Sequence, residues 1–154
     1  MNHVLFFCYL FITSSVFALL EIQIEGKNGW AAELPTWRLA KQLKGWMRVF
    51  IDPKKPITGY HVYLWTFLFL LSHLPFLLIK WNIQLELLVL SYYWLLLTLE
   101  DFLWFIYNPH YGIKKFNPKN ITWHTVWLFG LPLQYWVKIP IGVVLYLYGT
   151  GILF

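Results

Sequence analysis

The chain has little charge and almost no sulfur. Of its 154 residues, twelve are Lys or Arg and seven are Asp or Glu. Charged residues therefore make up 12 %, against about 25 % in soluble domains. The single cysteine, Cys8, excludes an internal disulfide framework and a cysteine-rich zinc site. There is no internal repeat, no low-complexity tract, no phosphate-cradling glycine loop, no nucleophile elbow, and no His-x-x-x-His or His-Glu-x-x-His pair. These absences exclude a solenoid, a disordered tail, and the common nucleotide, hydrolase and zincin signatures. No nucleic-acid motif is present, and the net charge of +5 is scattered between apolar runs.

What is present is hydrophobic. Apolar residues reach 59 %, aromatics 21 %, and mean hydropathy is +0.56. The composition points to an all-α integral membrane protein. Four apolar runs, about 4–20, 60–79, 83–107 and 125–153, predict four transmembrane helices, since about 20 helical residues cross a hydrocarbon core. The first run is longer than a signal-peptide core and leads into Glu21, Gln23 and Glu25 without a small-x-small cleavage site, so it reads as a retained helix. Pro132, Pro140 and three glycines predict a kink in the fourth.

Charge between the runs suggests an orientation. Segments 21–59 and 108–124 hold ten of the twelve positive residues. With four spans both segments lie on one side, so the positive-inside rule places them in the cytoplasm of a plasma or inner membrane and both termini outside. Within the first segment, Leu39, Leu43, Trp46, Val49 and Phe50 alternate with Arg38, Lys41, Lys44 and Arg48. That spacing predicts an amphipathic interfacial helix over about 37–50, capped by Thr36 and touching anionic lipid.

Ionisable residues inside apolar runs are costly and point to function. On the third run Glu86, Tyr93, Leu97, Glu100, Trp104 and Asn108 fall on one stripe, and Asp101 is 100° around from Glu100. Glu21 and Glu25 are one turn apart if the first helix passes Leu20. His61, His110 and His124 sit at helix ends on the same predicted side. Topology thus draws Glu21, Glu25, His61, Glu100, His110 and His124 to one level as candidate ligands of zinc, iron or manganese. Glu100, Asp101 and His61 are the candidate catalytic residues. His73 and Glu86 fall at the opposite end as structural or solvated groups.

The expected function is a small membrane enzyme acting on a lipid or other apolar substrate at this carboxylate/His cluster. It would use either a divalent metal or metal-free acid–base chemistry by Glu100 with His61 or His124. The alternatives are a scaffold or accessory subunit with buried structural ion pairs and, third, a proton or cation transporter. The expected partners are membrane lipids, an apolar substrate and, in an oligomer, further copies of the chain.

Overall fold

A computed structural model describes residues 2–39, 56–121, 124 and 126–153. Four α-helices dominate it: α1 (His3–Glu25), α2 (Gly59–Ser72), α3 (Ile83–Tyr107) and α4 (Leu133–Gly149). Two short antiparallel hairpins sit at helix entrances. In one, β1 (Arg38–Leu39) pairs with β2 (Ile57–Thr58). In the other, β3 (Trp127–Leu128) pairs with β4 (Leu131–Pro132).

The four-span reading is overturned. Among the described residues, only α1 and α3 are long and apolar enough to cross a membrane. The second run breaks where Pro75, which has no N–H to donate, follows His73. The α-helix stops at Ser72 and a 3-10 turn, Leu74–Leu77, follows. Its 14 residues span about 21 Å, short of a hydrocarbon core of about 30 Å. The described part of the fourth run before Leu133, residues 126–132, is not helical. Its first part is the β3–β4 hairpin, turned by Phe129 and Gly130 at positive φ, and α4 has 17 residues. Hydropathy alone reads a hairpin and a helix as one stretch. The sidedness deduced for the termini rested on four spans and lapses with them.

The predicted interfacial helix lies mostly outside the described residues. Its first part, Arg38–Leu39, is extended, and Thr36 serves another element: its hydroxyl accepts from the Tyr60 N–H of α2 at 2.9 Å. Arg38 bonds the carbonyls of Ala31, Ala32 and Leu34.

Helix α3 is the centre of the fold, with α1, α2 and α4 packed on it. Small residues set the approach. Ser14 and Ser91 are fully buried, and Ser91 Oγ donates to the Gly142 carbonyl at 2.8 Å. A Cβ on Gly142 would collide with Leu95, so α4 can lie this close only with glycine there. Two apolar clusters follow. One joins Leu10 and Phe17 of α1 to Leu95 and Leu96 of α3. The other gathers Ala18, Leu103, Trp104, Phe105 and Ile121. The outward face of α1 carries Val4, Leu5, Phe11, Ile12, Val16 and Leu20, all exposed, as does Cys8.

Candidate functional site

The polar ends of α1 and α3 meet the start of α2 around one cavity of about 270 Å³. Helix α1 does not stop at Leu20. It runs on to Glu25, which puts Glu21 and Glu25 on one face, both buried. Asn28-Gly29 then turns the chain into a left-handed loop, with Gly29, Trp30 and Ala31 all near φ +50° to +60°. Such backbone costs roughly 1–3 kcal/mol per non-glycine residue and needs compensation. Glu25 provides it: its two carboxylate oxygens accept the N–H groups of Trp30 (2.9 Å) and Ala31. Gly29 is required twice over. Its φ is +59°, and a Cβ would strike the Trp104 ring at 2.8 Å.

Helix α2 delivers the imidazole. Thr58 is its N-cap, bonded to the His61 N–H at 3.3 Å. The same hydroxyl is 2.6 Å from His61 Nδ1, leaving Nε2 facing Glu25 at 3.3 Å. Trp30 stacks on the imidazole with ring centroids 4.1 Å apart, and its indole N–H is tied to the Pro56 carbonyl. Glu21, Glu25 and His61 each offer a ligand atom within 4.8 Å of the others. Behind them, main-chain amides hold Glu25 and Thr58 holds His61, the outer-shell support that orients metal ligands. Tyr60 donates to Glu21 at 3.3 Å. Burial and the neighbouring Glu21 and Glu25 carboxyls push its hydroxyl well above the ordinary phenol range, so it remains a donor.

From α3, Glu100 is buried and lines the same cavity as Glu21 and Glu25. Its Oε1 has no partner, and neither has Trp104 Nε1 one turn along; both atoms are fully buried. Glu100, Trp104, Tyr93 and Leu97 all line the cavity, so the stripe drawn from the sequence faces inward along this stretch. Glu86 does not. It lies at the far end of α3, 3.2 Å from His73.

The other side of the cavity comes from α3, α4 and the segment before α4. Tyr135 donates to Asp101 at 2.5 Å, and His124 Nε2 lies 3.7 Å from the same carboxylate. Lys138 donates to Gln134 Oε1 at 3.1 Å. The Gln134 amide therefore presents its NH₂ to His124 Nδ1, 2.5 Å away, which places the imidazole proton on Nε2. Of the six proposed ligands, Glu21, Glu25 and His61 lie close enough to share an ion, Glu100 and His124 line the cavity outside that group, and His110 does not line it. His110 sits exposed in the turn after α3, and the turn bonds through its main chain.

Several residues of the site were missed from the sequence. Thr58, Tyr60, Gln134 and Lys138 shape it, as does the left-handed turn. A threonine three residues before a histidine is a readable cap signal. Gln134 and Lys138 would have read as an i, i+4 pair had α4 been started at Leu133. No protein-family model, no curated protein and no solved structure matches this chain.

Proposed function

We propose that this chain is a membrane-embedded enzyme, held in the bilayer by α1 and α3, that acts on an apolar substrate with a divalent metal ion. Zinc, iron or manganese would be bound by Glu21, Glu25 and His61. One observation carries the reading: three buried ligand groups from two helices lie within 4.8 Å, and none is paired with a lysine or arginine among the described residues. Buried carboxylates need a proton or a cation. Two acidic oxygens and one imidazole suit these metals. An ion there would polarise a substrate oxygen or activate a water. Glu100 and Asp101 lie beside it as proton-transfer groups, and Trp30, Trp65, Trp94 and Trp104 form the apolar wall.

The burial of Glu21 and Glu100 against one cavity favours a second reading, metal-free acid–base chemistry by that pair. Elemental analysis of detergent-purified protein separates the two. The metal reading expects near-stoichiometric zinc, iron or manganese, lost in His61→Ala. A folded protein that stays metal-free after growth in metal-supplemented medium overturns it and leaves the acid–base reading.

A further inference from the structure

The cavity is a slot with unlike ends. On α3 its lining runs from Tyr93 to Phe105, about 18 Å along the helix at about 1.5 Å per residue. Glu21, Glu25 and His61 meet at one end. The other end is walled by Trp65 of α2 and by Tyr93, Trp94 and Leu97 of α3. A volume of about 270 Å³, drawn out over that length, has the width of one unbranched chain. Two chains side by side, or a fused ring system, need more.

The apolar end is closed by side chains that are themselves held. The Tyr93 hydroxyl donates to the Trp65 carbonyl of α2 at 3.1 Å. One turn further along α2, the Phe69 ring packs edge-on against Tyr93 with centroids 5.4 Å apart. The Trp94 indole N–H donates to the Lys138 carbonyl of α4 at 2.9 Å. One turn beyond Lys138, α4 closes on α3: Ser91 bonds the Gly142 carbonyl, and Leu95 occupies the place of a Gly142 Cβ. Consecutive residues of α3 are thus strapped to the helix on either side, and the slot ends at them. A longer chain would have to push packed rings aside.

The depth of the slot matches the bilayer. Tyr93 and Trp94 stand near the middle of α3, and Glu21 and Glu25 stand at the end of α1. With α1 and α3 across the membrane, the slot runs from headgroup level to the midplane. One leaflet's hydrocarbon is about 15 Å deep, half of a core of about 30 Å. A chain in the slot keeps the depth and direction it has among its neighbours in the leaflet.

We infer that the substrate is a lipid with a single unbranched alkyl chain, which lies along α3 between α2 and α4 with its polar end at Glu21, Glu25 and His61, and that Tyr93 and Trp94 set the chain length accepted. This rests on the reading of the cavity as the site of an apolar substrate. The shape of the slot selects the chain, so the charge of an ion on Glu21, Glu25 and His61 leaves the selection unchanged.

The test uses the full chain in phosphatidylcholine nanodiscs and dodecan-1-ol carrying a diazirine near its chain end, a probe with a neutral head. After irradiation, peptide mass spectrometry locates the label. It is expected on Trp65, Tyr93, Trp94 or Leu97. Unlabelled dodecan-1-ol should displace it at least about fivefold better than cyclododecanol, which folds the same carbons into a ring. Trp94→Ala opens the closed end and should move the best-displacing alcohol toward longer chains. Leu97→Trp fills the slot at a half-buried position and should cut labelling of Trp65 and Tyr93 by at least about fivefold; it tests the slot without emptying its end. Label confined to the outward face of α1, equal displacement by the ring alcohol, labelling that survives Leu97→Trp, or an unchanged length optimum in Trp94→Ala overturns the inference. Metal content measured on the same samples keeps the two ideas apart. Bound metal without labelling of the slot refutes only the single chain; labelling of the slot without metal refutes only the metal site.

Discussion

Two histidine–glutamate pairs hold α2, one near each end, and they are built from the same atoms at nearly the same distance. His61 Nε2 lies 3.3 Å from Glu25, and His73 Nε2 lies 3.2 Å from Glu86. Their surroundings differ. The first pair has side chains 5 % and 4 % exposed, the second 21 % each. Glu25 also carries two main-chain amides of a left-handed turn, and His61 is held by the helix cap. Glu86 receives only the Trp81 indole besides His73, and His73 Nδ1 meets the Phe69 carbonyl of its own helix. The outer pair closes the short connection between α2 and α3. The inner pair joins α1 to α2 and stands in a cavity. Distance is thus a poor guide to role; what each group does with its remaining hydrogen bonds separates the two.

The contrast breaks most visibly at Glu25. Glu25→Ala strands two main-chain N–H groups and an imidazole in a buried site, and it removes the support of the strained turn. Loss of one partner from a buried pair costs on the order of 3–5 kcal/mol. Denaturant unfolding in detergent should show a loss of that size, together with loss of bound metal. Next comes Gly29→Ala. It forces an L side chain into positive φ and against Trp104, which should cost about 2 kcal/mol and shift the cavity tryptophan emission. Thr58→Val sharpens the comparison from behind the ligand. It keeps the shape but removes the oxygen that orients His61, so metal affinity should fall by roughly 10- to 100-fold in a competition titration with a chelator. The same substitution should leave the outer pair untouched.

These two pairs also mark what could be read from the sequence. The stripe through Tyr93, Leu97, Glu100 and Trp104 follows from helical period, because α3 is regular throughout. Glu21 and Glu25 were placed on one face by the same reasoning, conditional on a helix that the structure extends to Glu25. Period could not separate α2 from its 3-10 extension, or the β3–β4 hairpin from α4, because hydropathy does not register hydrogen-bond type. His110 was grouped with the ligands by its level along the membrane normal, a coordinate that says nothing of direction; its turn points it outward. The left-handed loop was hidden for another reason. Asn28-Gly29 announces a turn, but positive φ at Trp30 and Ala31 runs against their own preference and persists only because Glu25 bonds their amides. Gln134, Lys138 and Thr58 are ordinary polar residues until a tertiary neighbour gives them a task.

The smallest expected effect lies at the outer pair. Glu86→Gln keeps one oxygen to accept from Trp81 and gains an NH₂ that can donate to His73 Nε2, and both side chains are one-fifth exposed, so water can replace what is lost. Pairs of this kind contribute about 0–1 kcal/mol. His73→Ala and Glu86→Gln should therefore each lower the unfolding free energy by less than about 1 kcal/mol, and a double-mutant cycle should return a coupling of about a few tenths of a kcal/mol. Half-molar salt should shrink that coupling further, because exposed charges are screened within a few ångströms. Metal content and cavity emission should stay unchanged. A loss of several kcal/mol at Glu86, or a loss of metal, would mean that the far end of α3 is coupled to the cavity, and the two pairs would then have to be read as one system.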